Sequence, residues 1–84
     1  MSDAFVMMAH ASGVASKLLG VALTQKHADI MLIRFTRADN FDSRGYDSLT
    51  CERMKIHEVN IRPAITRYFL WEGDKWARNK EHER

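Results

Sequence analysis

Ser2–Leu23 reads SDAFVMMAHASGVASKLLGVAL, and the fold turns on how this stretch is taken. At helical spacing Phe5, Met8, Ser12, Ala15, Leu19 and Ala22 share one face, and Met7, Val14, Leu18 and Val21 fall on the next. Ser2 or Asp3 supplies a cap, and Gly20 supplies a left-handed end. This predicts an N-terminal helix that is apolar most of the way round, and such a helix is buried from more than one side. Its small residues permit close backbone approach. Phe5, Met8, Ser12, Ala15 and Leu19 are therefore a candidate oligomer interface, with a central core helix as the plainer reading.

The segments beyond it are shorter. Ile30–Arg37 (IMLIRFTR) places Met31, Ile33 and Phe35 on one face as a strand. As a helix capped by Thr24 it aligns Ala28, Met31, Leu32 and Phe35. Periodicity does not separate the two in so short a run, and its Ile, Phe and Thr content favours the strand. Ala38–Ser48 (ADNFDSRGYDS) reads as a loop. Its acidic residues fail calcium-loop spacing, because with Gly45 at position 6 Arg44 lands at position 5 and Cys51 at position 12. In Glu52–Ile61 the pairs Met54/Ile56 and Val59/Ile61 lie on opposite faces of a simple strand. That requires a bulge near His57 and Glu58 or a helical beginning.

The C-terminal stretch Ala64–Asn79 (AITRYFLWEGDKWARN) reads as a β-hairpin. Gly73-Asp74 suits a two-residue turn with glycine at the position of positive φ. That register pairs Glu72 with Lys75 and sets Trp71 across from Trp76 at a non-hydrogen-bonded site. One face then carries Ile65, Arg67, Phe69, Trp71, Trp76 and Arg78, and the other Thr66, Tyr68, Leu70 and Ala77. Trp and Arg dominate binding hot spots, so Arg67, Phe69, Trp71, Trp76 and Arg78 form a candidate interaction surface. The plainer reading makes the aromatic face core, with Arg stems packed and heads in water. Lys80–Arg84 (KEHER) reads as a charged, frayed tail.

The fold expected from these pieces is α+β: an N-terminal helix packed on a small antiparallel sheet ending in a C-terminal β-hairpin. Residues 1–79 form a single small domain and 80–84 a flexible tail. The 84-residue chain is 45% hydrophobic and 29% charged, a composition that excludes collagen, Pro/Gly linkers and full disorder. A formal charge of +2 is too small for a nucleic-acid footprint. Cys51 is the single cysteine, so the fold does not depend on disulfides, and the thiol is expected to be at least partly buried. Asp3 stands where a signal peptide carries a basic residue, and Lys17 breaks the apolar run short of a membrane span. These features predict a cytoplasmic protein without membrane association.

The histidines His10, His27, His57 and His82 have no zinc-motif spacing, a lone His10 on a mostly apolar helix reads as a hydrogen-bonded structural residue, and no phosphate loop or nucleophile elbow is present. No catalytic residue, metal or cofactor is assigned. The leading expectation is a small non-enzymatic protein that binds another protein, as an inhibitor or adaptor of the kind phage and mobile elements encode, with a homodimer as a further partner class. The alternatives are a nucleic-acid-binding module and a structural subunit of a homo-oligomer. The nucleic-acid reading takes Asp47–His57 as helical, a second helix starting at Pro63, and the hairpin as a wing or ribbon.

Overall fold

The first apolar segment carries apolar residues on both faces because it is an inner strand of a sheet, buried at Met7 and Ala9 on one face and half-buried at Val6 and Met8 on the other. The computed structural model describes residues 3–37, 46–59 and 62–83. Ser2–Leu23 is not a helix. It forms β1 (Asp3–His10) and β2 (Lys17–Ala22), joined across a turn in which Gly13 has φ +79°. Then follow α1 (Gln25–Arg37), β3 (Ser48–Lys55), β4 (Ala64–Trp71), β5 (Trp76–Arg78) and a 3-10 turn over Lys80–His82. The strands make one antiparallel sheet in the order β2-β1-β3-β4-β5. The chain is thus α+β, but its helix lies between β2 and β3 instead of at the N-terminus.

The physical reason for the difference is the apolar content of β1. A strand alternates sides, and here Phe5, Met7 and Ala9 face the helix while Val6 and Met8 occupy the opposite face. Because both sets are apolar, the two-residue period vanishes and the run looks like an all-round apolar helix. The five residues of the candidate oligomer interface are accordingly dispersed. Phe5 and Leu19 pack against the core, Met8 lies on the opposite sheet face, and Ser12 and Ala15 sit exposed in the β1–β2 connection.

Ile30–Arg37 is likewise not a strand but the body of α1. The helical alternative for this run holds. Thr24 Oγ1 accepts the His27 N–H at 3.2 Å, and the aligned Ala28 and Leu32 are the helix's buried residues. Strands β2 and β3 run parallel with β1 between them, so the chain must cross one face of the sheet to link them. The helix makes that crossing and lies against β1 and β2. Met7, Ala22, Ala28, Leu32 and Cys51 form the core there, with Phe5, Leu19, Met31 and Phe69 packed round it.

Two bulges set which residues face the core. In β1–β2 the register passes from Met7↔Gly20 to Met8↔Leu18, so Leu19 is the extra residue and turns inward. In β3–β4 it passes from Cys51↔Arg67 to Glu52↔Ile65, and the extra Thr66 donates its hydroxyl to the Cys51 carbonyl at 3.3 Å. The bulge expected near His57 and Glu58 is not formed, because β3 ends at Lys55 and the chain turns at Ile56–Glu58; Ile61 lies outside the described residues. His57 itself, at φ 67°, lies in the turn after β3.

At Gly20 the helix comes close, and a Cβ there would stand 2.6 Å from Met31 Cε. Gly20→Val is expected to cost no more than about 1 kcal/mol, because the flexible methionine end can swing into the groove it lines beside β2. Urea unfolding measures this, with a lowered midpoint at unchanged slope.

Candidate interaction surface

One helix covers little of this sheet. A helix is about 10 Å across and strands are about 4.8 Å apart, so α1 spans roughly two strands. Among the described residues no α-helix covers the β4–β5 part of the helix-side face or the opposite face.

The hairpin has the expected register: Phe69↔Arg78, Leu70↔Ala77 and Trp71↔Trp76. Gly73 has φ +96°, and the Glu72 N–H donates to the Lys75 carbonyl at 2.9 Å. The Trp71 N–H points the other way, to the Asp47 carbonyl at 2.9 Å, so the tryptophans face each other at a non-hydrogen-bonded site. Their rings lie 5.2 Å apart at 59°. Arg67, Phe69, Trp71, Trp76 and Arg78 thus share the helix-side face. Phe69 closes the core and both tryptophans are half-buried.

The two arginines of this set are engaged within the molecule. Arg67 holds Asp29 of α1 in a bidentate pair, Nε to Oδ1 at 3.0 Å and Nη2 to Oδ2 at 3.0 Å. Arg78 Nε reaches both oxygens of Glu83, at 3.0 and 2.9 Å, and Arg67 Nη1 lies 3.9 Å from Glu83 Oε1. Asn79 caps the Lys80–His82 turn by accepting the Glu81 N–H, and the His82 ring lies 4.7 Å from Tyr68. Residues 80–83 are therefore packed along β4, and their carboxylate draws the arginines inward. These charges clip the helix and the C-terminal turn to the sheet, which removes much of their capacity to meet a partner.

The exposed apolar side chains lie elsewhere. Leu18, Val21 and Leu23, on and just after β2, are 58%, 52% and 69% exposed, and Ile30 of α1 is 42% exposed. Leu18 and Val21 share the face away from the helix because the Leu19 bulge shifts the phase between them. Val21, Ala22, Leu23, His27, Ile30, Met31 and Arg34 line a groove between the edge of β2 and the helix. The apolar surface thus wraps round the outer edge of the sheet. The sequence reading missed this site because it placed Leu18 and Val21 on one helix and Ile30 on a strand.

Two reactive groups are held in structural roles. His10, expected to be a hydrogen-bonded structural histidine, has Nδ1 2.6 Å from Ser16 Oγ and Nε2 2.7 Å from Thr50 Oγ1. It ties the β1–β2 connection to β3. Cys51 is a fully buried free thiol, as expected. Burial pushes its pKa up, only partly offset by hydrogen bonding to Thr66 and Gln25. The folded state therefore keeps the thiol protonated at a pH where the unfolded chain has released it. The sign follows from linkage: stability is unaffected well below the unfolded thiol value, about 8.5, and falls as pH rises from there toward the folded value. Thiol-titrating reagents are expected to react only as fast as the chain opens, and Cys51→Ala is expected to abolish this component of the alkaline loss.

Among the described residues no group of His, Cys, Asp or Glu is placed to hold a metal ion, and no helix is long and apolar enough to cross a membrane. The calcium-loop test concerned residues that lie largely outside the described ones. The helix pair required by a helix-turn-helix is absent, because Ser48–Lys55 and Ala64–Trp71 are both strands. No protein-family model, curated protein or solved structure matches the chain.

Proposed function

We propose that this chain is a non-enzymatic protein that binds another protein through the side of the domain formed by β2 and α1. The observation that carries this reading is the gathering of Leu18, Val21, Leu23 and Ile30 round one sheet edge. Single exposed aliphatic residues are ordinary, whereas a contiguous group marks an interaction site. An inhibitor or adaptor works in this way, by occupying a surface of its target without chemistry. The hairpin face contributes less, since Arg67 and Arg78 are paired internally and a partner must first displace Asp29 or Glu83.

The test is affinity capture from the producing cells, comparing the wild type with Val21→Glu and Ile30→Glu variants whose melting shows them folded. One protein retained by the wild type is expected to fall roughly tenfold or more with either variant, as at a hot-spot residue. Equal recovery by all three, or recovery of salt-labile nucleic acid alone, overturns the reading.

A further inference from the structure

The β2 edge carries more than apolar side chains. As the last strand of the sheet, Lys17–Ala22 turns one row of main-chain N–H and C=O groups away from β1. Among the described residues no backbone partner is found on that outer side. Such an edge is a template for a further strand. Leu18 and Val21 flank it on one side, and Leu23 and Ile30 flank it on the helix side. An added strand therefore finds an apolar seat for each of its two alternating sets of side chains.

Among the described residues the formal charges beside this edge are basic: Lys17 lies in the strand, Arg34 lines the groove, and Lys26 and Arg37 project from the same helix. Among the described residues, Asp29 is held by Arg67 on the other flank of α1, and Asp3 of β1 is in register with Lys55 of β3. Glu52 lies two strands away, opposite Val6.

We infer that the outer edge of β2 is a strand-addition site for an extended acidic segment of another protein, which becomes a sixth strand. This rests on the protein-binding role proposed for the same side and specifies the partner's chemistry. Main-chain hydrogen bonds supply affinity, while alternating aliphatic residues and flanking carboxylates supply selectivity. A second copy of the chain fits less well. Pairing β2 with β2 about a two-fold axis brings α1 beside its twin, so Lys26, Arg34 and Arg37 face the same cationic set. The Leu19 bulge and Lys17 further blunt self-pairing.

The probe is a blocked octapeptide alternating valine and glutamate, with a valine–lysine peptide as control, titrated into the full chain. Amide hydrogen exchange of Lys17–Ala22 is the readout. The acidic peptide alone is expected to slow exchange at alternate β2 residues by tenfold or more, and the effect is expected to fall with added salt and in Val21→Glu. Equal protection by both peptides, no protection at millimolar peptide, or protection confined to other strands overturns the inference. So does protection that grows with protein concentration in the absence of peptide while the solution mass doubles, which assigns the edge to a second copy. If the peptide fails while Val21→Glu and Ile30→Glu still release the captured protein, strand addition falls and the binding role stands.

Discussion

Leu32→Ala is expected to lower stability by about 2–5 kcal/mol, whereas Ile33→Ala, one residue further on, changes it by no more than about 0.5 kcal/mol. Leu32 is 1% exposed between α1 and the sheet, and Ile33 is 46% exposed. The cost at Leu32 falls at the high end because its core neighbours include Ala22 and Ala28, which are too small to fill the space left behind. An 84-residue domain carries roughly 4–12 kcal/mol in total, so this loss is a large fraction of its stability. Urea titration with the slope held constant measures both values. The pair also discriminates between readings of Ile30–Arg37, since a strand puts Ile33 on the core face with Met31 and Phe35 and turns Leu32 outward. A larger loss at Ile33 than at Leu32 contradicts the helix.

Trp71→Ala is expected to cost about 2–3 kcal/mol, of which roughly 0.5–1.5 kcal/mol is the specific contact with Trp76 and the rest is lost apolar burial. The effect is expected to be local. Strand β5 has three residues, and β4 is its partner in the sheet, so loosening the tryptophan pair frees the hairpin end before the centre. Hydrogen exchange is expected to accelerate in Trp76–Arg78 well beyond any change in β1. The exciton signal of the paired indoles in far-ultraviolet circular dichroism is expected to vanish, and Trp76→Ala is expected to remove it equally. Uniform acceleration across all five strands is the result that contradicts a locally closed hairpin.

These two sites mark the boundary between what was legible and what was not. The hairpin was readable because its determinants are local: a glycine that accepts positive φ, a Glu72/Lys75 pair beside it, and two tryptophans at matching distances from the turn. Shifting the register by one residue sets Trp71 against Asp74, so neighbours in the chain suffice to choose. Burial of Cys51 and the structural role of His10 were likewise legible from residue chemistry, though the partners Ser16 and Thr50 were not.

The N-terminal half resisted reading because its determinants are not local. Strand β1 lies between β2 and β3, and its position with apolar contacts on both faces erased the alternation that identifies a strand. The short run in α1 became helical because a connection between parallel strands had to cross the sheet, a requirement visible only once the strand order exists. The candidate site shares this history. Leu18, Val21 and Ile30 come to one edge only because a bulge shifts the phase of β2 and the helix crosses beside it. The residues by themselves determined the α+β class, the hairpin register, the reduced thiol and the scarcity of motif chemistry, all of which depend on short-range geometry and side-chain type. Strand order, helix placement and the basic, apolar edge of β2 were decided by the tertiary structure. They arise from long-range pairing, where hydrogen bonding β1 on both edges and burying Met7 and Ala9 beneath the helix outweighs any local preference.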